Sequence, residues 1–448
     1  MNNLPSELLD KIRRQFDSSP YPRTPLETSP KNNHNLLYIH NLITPFYLRN
    51  QKVIDTQDKL ILDAGCGTGY KSLVLAEANP GAKIVGIDIS PESIDLAQKR
   101  LEYHGFNNGE FYVLPIEELP KLNYQFDYIN CDETLYILPE PVTALQAMQS
   151  VLKPEGIIRA NLHSAMHRDV YLRSQKLFKF MGLLHENPGD LEIDIVSEIM
   201  RSLKDNVYLK SQTWNKQNYE GGDKQERILM NFLLQGDKGY TVNELFSFLE
   251  LTQLEFISMV NWRNWNLLSL FKDPDNLPAF LGMSLPEISV EQQLQIFELL
   301  HPLHRLLDFW CGNPQLEQNI IPVCEWEESD WLKAKAYIHP QLNNSQFRQN
   351  LENCIRGNKI LDLTNHLSLL DQYEPNLEID NSIAVCFIPL LEQPQPIISL
   401  VKYWQQVRPI DPFTLKPIEL EQAFQVVQKI LSRLESLGYI LLETEVGK

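Results

Sequence analysis

Two stretches of the chain join an acidic residue to backbone that a ligand can approach closely: Leu60-Ile-Leu-Asp-Ala-Gly-Cys-Gly-Thr-Gly69 and Lys83-Ile-Val-Gly-Ile-Asp-Ile-Ser90. In the first, an apolar run ends in Asp63 and then Gly65, Gly67 and Gly69 at alternate positions; in the second, an apolar run ends in Asp88. A dinucleotide site needs Gly-x-Gly-x-x-Gly, so that pyrophosphate lies against bare backbone at a helix N-terminus. Here the third glycine's place is taken by Tyr70, and the Asp63 carboxylate would repel a pyrophosphate. It suits instead a ligand carrying an amine and a sulfonium. Asp88 is placed to accept hydrogen bonds from the two hydroxyls of a ribose, and the glycines remove the Cβ atoms that would hold such a ligand away.

A second group of residues offers acid–base chemistry. Asn130-Cys-Asp-Glu-Thr-Leu-Tyr136 brings two adjacent carboxylates and a phenol together. Glu133 could serve as a base and Asp132 could orient a cationic or amide nitrogen; alternatively one of them caps the next helix or meets the ligand. His163 has a side chain that titrates in the useful range, and is open to two readings: a proton acceptor, or a structural imidazole bonded to loop backbone.

These groups need elements to hold them. Apolar runs at 60–62 and 84–87, separated by a helical pattern (Ser72, Leu73, Leu75, Ala76), predict a βαβ unit with its loop at the carboxyl ends of the strands. A helix over 91–103, strands over 111–114, 126–131 and 157–162, and a helix over 141–152 continue it. Residues 164–238 read as helical and exceed what a sheet connection needs. A helix over 241–250 then runs into a strand at 254–260. Further on, 290–310 reads as helix, 331–338, 383–390 and 439–442 as strands, and 418–437 as a long helix. At the N-terminus an amphipathic helix (Leu8, Leu9, Ile12, Phe16) precedes Ser18-Ser-Pro-Tyr-Pro-Arg-Thr-Pro25, an extended stretch that is either a lid or a linker. Residues 36–48 read as a helix with Pro45 as its break, and Tyr38 and His40 as core.

Asp63-Ala-Gly-Cys-Gly-Thr-Gly69, Gly86-Ile-Asp-Ile-Ser90, Phe126-Asp-Tyr-Ile129 and Leu152-Lys-Pro-Glu-Gly156, in this order and spacing, resemble the landmarks of the class I S-adenosylmethionine-dependent methyltransferases. The resemblance covers roughly residues 55–165. It implies an α/β fold: a Rossmann-like seven-stranded sheet with a helical cap, here followed by a smaller C-terminal α/β module. The expected divisions are an N-terminal helical or lid segment over 1–54, the methyltransferase domain over 55–265 with its insertion at 164–238, and an accessory region over 266–448. It implies S-adenosyl-L-methionine as cofactor, held by Asp63, Gly65, Cys66, Gly67, Gly69, Asp88 and Ile89, with Ile116 and Glu117 at the adenine and Cys131 beside the cofactor. Pro115 stands where the family usually has the aspartate that binds the adenine amino group, which puts that contact on Glu117. Asp132, Glu133, Tyr136 and His163 fall where the transferred methyl is faced. Neither the Asn/Asp-Pro-Pro-Tyr/Phe signature of nucleobase and amide methylases nor the histidine pair of many small-molecule methylases is present. Neither acceptor class is signed by these residues; the expected acceptor is a protein side-chain nitrogen, because the C-terminal module exceeds what a small metabolite requires and the paired carboxylates suit nitrogen, the alternatives being a small molecule methylated on O or N, or a non-catalytic cofactor-binding assembly protein.

Composition narrows the classes further. With 448 residues, 43% hydrophobic and 10% aromatic, the chain is globular and long enough for more than one unit. Its formal net charge of −18 disfavours a nucleic-acid partner, because the summed field repels phosphate. Six scattered cysteines, with no Cys-x-x-Cys pair, argue against a metal site and a disulfide framework and fit a reducing compartment. With no signal-like segment and no apolar run of membrane-spanning length, a cytoplasmic protein without a membrane partner is expected, with a homodimer as the candidate assembly.

Overall fold

The computed structural model describes residues 4–18, 20–219, 221, 224–315, 320–367 and 377–444. Seven strands form the central sheet: β1 (Leu60–Ala64), β2 (Lys83–Asp88), β3 (Glu110–Val113), β4 (Phe126–Cys131), β5 (Leu152–His163), β6 (Glu255–Met259) and β7 (Leu306–Gly312), in the order β3-β2-β1-β4-β5-β7-β6. The first five pair in parallel, and β7 runs antiparallel to both β5 and β6. Helices α1 (Leu4–Ser18), α2 (His34–Ile39), α3 (Ile43–Asn50), α4 (Tyr70–Ala78), α5 (Pro91–Tyr103) and α6 (Pro141–Ser150) accompany the strands of this half. Local signals mark the helix ends: Pro91 opens α5 behind Ser90, whose hydroxyl accepts a hydrogen bond from the Ser93 N–H.

Three expectations change here. The sheet is completed by β7, beyond residue 265, within a stretch whose leucines read as one long helix over 290–310. That helix stops at Leu300, two residues before Pro302, which has no N–H to continue it. The 36–48 helix breaks at residues 40–42 rather than at Pro45, which lies in the first turn of α3, where a missing N–H costs nothing. In the C-terminal region, residues 383–390 are helical (Asn381–Ala384 and Phe387–Glu392), and 331–333 belong to a helix ahead of the strand that begins at Ala334.

The insertion after β5 is a cluster of helices, Asp169–Phe180, Asp190–Ser202, Tyr208–Thr213, Lys216–Tyr219 and Lys224–Phe232, with its own buried core of Phe178, Val196, Met200, Trp214 and Phe232. Helix α1 lies against it: Gln15 Nε2 donates to the Leu233 carbonyl, and Ile12 enters the main core.

The C-terminal module centres on β8 (Ala334–Ile338), flanked by β11 (Gln395–Pro396) and β12 (Ile440–Thr444), both antiparallel to it. A small pair, β9 (Leu361–Asp362) with β10 (Glu378–Ile379), and helices Ser345–Gly357, Ile397–Val407 and Leu420–Ser436 complete it. Helices α2 and α3 join it to the catalytic half. The Tyr38 hydroxyl donates to the Gly438 carbonyl (3.2 Å), the Tyr47 hydroxyl to Glu435 (2.8 Å), and Thr44 meets His339 at 3.0 Å. Arg263 donates to the Leu437 carbonyl (2.6 Å) and the Tyr38 hydroxyl (2.7 Å). Tyr38 is thus core, as expected, but core of an interface. Among the described residues no helix is long and apolar enough to cross a membrane.

Gly438 sits at the centre of this joint with φ +74, and a Cβ there would lie 2.3 Å from the Tyr38 hydroxyl and 2.5 Å from Arg263. Gly438→Ala is therefore expected to lower stability by about 2–4 kcal/mol, combining αL strain with a clash. Gly105→Ala, at φ +86 with nothing within 4 Å, should lose only about 1 kcal/mol of αL strain. Urea midpoints of the two variants measure the difference; equal losses would mean that the Tyr38–Arg263 contact is not tight.

Candidate active site

At the carboxyl ends of the parallel strands, Gly65, Gly67 and Gly69 all adopt left-handed backbone (φ +79, +50 and +77). The close approach at Gly67 is made by the protein itself: a Cβ there would lie 2.3 Å from the Tyr21 carbonyl oxygen. That carbonyl accepts the Thr68 N–H (3.0 Å), and the Thr68 hydroxyl donates to the Pro22 carbonyl (2.8 Å). Arg100 on α5 donates to the Thr24, Pro25 and Thr68 carbonyls. The proline-rich stretch is therefore a strap pinned across the glycine loop rather than a loose linker. Beneath it Asp88 accepts the Gly67 N–H on Oδ2 (3.0 Å) and the Ser90 N–H on Oδ1 (2.9 Å). Each oxygen keeps a further lone pair. Burial raises the Asp88 pKa against these backbone hydrogen bonds.

Next to the loop, one face of the sheet turns polar. Strands expose alternate residues to opposite faces, and the register sets Asp63 beside Asn130, Asn130 beside Arg159, and Asn161 beside Asp308. Asp63 accepts from Ser72 Oγ (2.6 Å) and Asn130 Nδ2 (2.9 Å). Burial still raises its pKa to about 6 against those two hydrogen bonds. Arg159, 3% exposed, grips Asp308 through Nε (3.0 Å) and Nη2 (2.7 Å), and its Nη1 donates to Nε2 of His40 (2.8 Å). His40 Nδ1 faces the Leu36 carbonyl at 2.8 Å, which fixes the proton on Nδ1 and leaves Nε2 to accept. Burial, then the Arg159 and Lys71 charges, push its pKa down to about 4.

Asp132 is enclosed in the same layer, held by Lys71 (2.7 Å), Asn161 (2.6 Å) and Arg159 (3.6 Å). Burial alone would raise its pKa, but the Arg159 and Lys71 charges outweigh it and hold the carboxyl well below the usual carboxylate range. Asn161 also accepts the Glu133 N–H (2.9 Å), tying the two carboxylates' backbone to β5. Glu133 has φ +59, a strained position for a side chain of its size. The strain turns its carboxylate away from Asp132, out of the sheet.

Glu133 points into a recess of about 370 Å³ whose wall also includes Tyr21, Tyr136, His163, Arg168 and Arg305. Arg305 forms a two-pronged ion pair with Glu133 and donates to His163 Nε2 (3.1 Å); the Tyr136 hydroxyl donates to Glu133 Oε2 (2.7 Å). Burial would raise the Glu133 pKa, but the Arg305 charge and hydrogen bonds bring it below the ordinary value. His163 stacks on Tyr136 (ring centroids 3.6 Å apart), and its Nδ1 lies 2.6 Å from Asp237. Burial lowers the His163 pKa despite that carboxylate. The Tyr21 phenol, on the strap, is pushed up to about 12 by burial and then by Glu133.

The residues singled out from sequence thus separate. Glu133, Tyr136 and His163 share the recess. Asp132, with its side chain 3% exposed, lies beneath it as a buried anchor. Asp63 has hydrogen bonds from protein donors on both oxygens, and Asp88 is half-buried beside Gly67. Cys131 and Ile116 belong to the apolar layer on the opposite face, with Ile89 packed at its margin. Because Asn130 and Asp132 face the polar side, the Cys131 side chain must point into the core, and only its backbone could meet a cofactor. The Cys66 side chain is also buried, and Glu117 is half-buried at the start of a 3₁₀ turn. Sequence reading missed Tyr21's place in the recess, Lys71, Arg159, Asn161, Asp237 and Arg305, and it put His40 in the apolar core. The signal for two of them was present: Arg159, Asn161 and His163 stand at alternate positions in an otherwise apolar strand.

Two outcomes follow from the buried charges. Arg159→Met should cost about 3–5 kcal/mol by leaving Asp308 uncompensated and Asp132 with Lys71 as its remaining cation, and Arg159→Met/Asp308→Leu should recover part of it; chemical denaturation of the three proteins checks this. For His40, the unfolded imidazole takes a proton near pH 6.5 but the folded one only near pH 4. Stability is therefore lost as pH falls through that window, about 2 kcal/mol by pH 5. Asp63, raised to about 6, works in the opposite sense, its contribution being lost as pH rises from about 4 to 6. The thermal midpoint should fall more steeply between pH 7 and 5 in wild type than in His40→Gln, which lacks this one contribution and keeps the others; parallel curves would contradict the assignment.

Comparisons with known proteins agree with this geometry. Residues 55–236 match the methyltransferase domain family. An uncharacterized protein of Synechococcus sp. is 26% identical over 335 residues, covering 73% of this chain and 76% of that one. The ubiquinone biosynthesis O-methyltransferase of Actinobacillus pleuropneumoniae is 29% identical over 163 residues, 35% of this chain, and the match spans 64% of that enzyme's length. The fold of nearly the whole chain, 95%, is similar to 78% of the solved PKMT2 of Rickettsia typhi in complex with AdoHcy, with a TM-score of 0.59 and 16% identity. A glycine loop between two acidic strand ends, on a sheet of order β3-β2-β1-β4-β5-β7-β6, together with the family match, makes residues 55–236 a methyltransferase domain of the class I S-adenosylmethionine-dependent type.

Proposed function

We propose that the protein methylates a side-chain nitrogen of a polypeptide, and that the recess above Glu133 receives it. The observation that carries this reading is the recess itself. It is polar, lies at the edge of the glycine loop, and offers hydrogen-bond acceptors (Glu133, Glu226, the Tyr21 and Tyr136 oxygens, His163 Nε2) beside the guanidiniums of Arg168, Arg227 and Arg305. An amine offers N–H groups to such acceptors, and a volume of about 370 Å³ suits one extended side chain.

S-adenosylmethionine, when bound, supplies an electrophilic methyl group on a good leaving group. In this reading Asp88 holds the ribose hydroxyls with the lone pairs its two backbone contacts leave free, and the left-handed Gly65–Gly69 loop lies along the cofactor. Asp63 is the anchor of the loop's polar layer, orienting Asn130 and Ser72, and Glu117 remains the candidate acceptor for the adenine amino group. Most of the acceleration in such a displacement comes from holding the acceptor's lone pair in line. Glu133 does this by accepting an N–H, and its lowered pKa keeps it an acceptor at neutral pH. Asp132, Asn161 and Arg159 fix the strained turn that presents it. The Tyr21 strap shuts water out of the junction between loop and recess. The C-terminal module, joined through α2 to the polar layer, is the surface on which a protein acceptor would rest.

A small-molecule acceptor is the second reading, favoured by the likeness of the cofactor-side residues to O-methyltransferases. Incubation with methyl-labelled donor and a bacterial lysate, followed by acid hydrolysis of the protein fraction, separates the two: the expected result is label in N-methylated amino acids, and label confined to small molecules would overturn the protein reading. Glu133→Gln should lower methyl transfer about 10²-fold with cofactor affinity within twofold of wild type by calorimetry.

A further inference from the structure

Resting on the amine reading, we propose that His163 takes the proton of the incoming ammonium, with Asp237, the insertion's contribution, as its positioning residue. Three features of the geometry carry it. First, Asp237 is wholly enclosed, with its side chain 0% exposed, and accepts at 2.6 Å from His163 Nδ1, at 3.2 Å from Arg168 and at 2.8 Å from Gln175 Nε2. A carboxylate so surrounded by donors is an acceptor only, so it fixes the His163 proton on Nδ1 and leaves a lone pair on Nε2. Second, that lone pair faces the recess, where it receives an N–H of Arg305. Third, Arg305 occupies the place of a substrate cation: its N–H groups satisfy Glu133 and His163 together, and its side chain is 43% exposed at the rim. An ammonium entering between Glu133 and His163 makes the same two contacts, and Arg305 yields them.

The step balances within the residues named. One N–H bond of the ammonium breaks, its electron pair stays on nitrogen as the attacking lone pair, and the proton bonds to Nε2. The positive charge passes from ammonium to imidazolium, which the Asp237 carboxylate faces across Nδ1–H. Burial beside the Arg168 and Arg305 guanidiniums lowers the ammonium's pKa towards that of the imidazole. The charged and titratable groups facing His163 are Asp237, Arg168, Glu226 and Arg227 on the insertion side, Glu133 and Tyr136 after β4, Arg305 before β7, Tyr21 on the strap, and His167 after β5.

The test combines a spectrum with a pH profile. In ¹⁵N spectra of the full chain at pH 7.5, the imidazole signal lost in His163→Gln should report the Nδ1–H form. Asp237→Asn, which permits the opposite hydrogen-bond sense, should move it to Nε2–H. In single-turnover labelling of the polypeptide acceptor fraction, wild type should lose rate at acid pH, with the limb below the ordinary imidazole value of about 6.5 because burial lowers the His163 pKa. His163→Gln and Asp237→Asn should each be slower by about 10²-fold or more with cofactor affinity unchanged, and the double variant should be no slower than either, as for groups acting as a unit. An imidazolium or Nε2–H form in wild type, multiplying losses in the double variant, or an acid limb that survives in His163→Gln would overturn the proposal. Should Asp237→Asn fail to fold because Arg168 loses its partner, the wild-type tautomer and the His163→Gln profile decide alone. Failure of the amine reading shows separately, as the absence of N-methylated amino acids with wild type at every pH.

Discussion

The site depends on the burial of a guanidinium inside the sheet. Arg159 stands midway along β5, on a face whose other half is apolar (Ile61, Tyr128, Ile157, Trp310), and an arginine there costs several kcal/mol of desolvation unless it is fully matched. It is matched by Asp308 from β7, His40 after α2, Asn130 from β4 and, at longer range, Asp132. Those partners come from three separate parts of the chain. Satisfying one cation therefore fixes where each must lie, and the register of β5 against β7 becomes a condition for the geometry at Asp132.

That constraint passes outward to the chemistry. Asp132 is held by the layer, Asn161 links it to the Glu133 backbone, and Glu133 accepts a left-handed conformation that no flexible loop would maintain. The recess is thus built on strand ends rather than on loops alone. Its remaining walls come from far away in sequence: Tyr21 on the strap, Arg168 from the start of the insertion, Arg305 at the entrance to β7, with Asp237 from the insertion's other end enclosed behind His163. The insertion contributes charge to the site as well as cover.

The C-terminal module enters the same system through a short helix. One turn of α2 carries Tyr38 into the joint with Gly438 and Arg263, and His40, at the end of that turn, reaches Arg159. The module is therefore coupled mechanically to the polar layer, whatever lies on its surface.

How much of this the sequence could tell depends on the range of the interaction. Asp63, the three glycines and Asp88 were legible because loop geometry and strand ends are local: an apolar run, a turn and a helix start lie within about ten residues of one another. The parallel half of the sheet followed from the same periodicity. The seventh strand did not, because the leucines of 290–300 and 306–307 continue a helical rhythm across Pro302, and only pairing with β5 and β6 reveals the strand. Nor could residue types alone divide Asp132 from Glu133, adjacent carboxylates with opposite fates. Which one is sealed beneath the sheet and which one opens on the recess is set by partners tens to hundreds of residues away. The amino-acid order determined the glycine loop and the acidic strand ends on either side of it; long-range ion pairing, which no local pattern encodes, decided the shape and charge of the recess above Glu133.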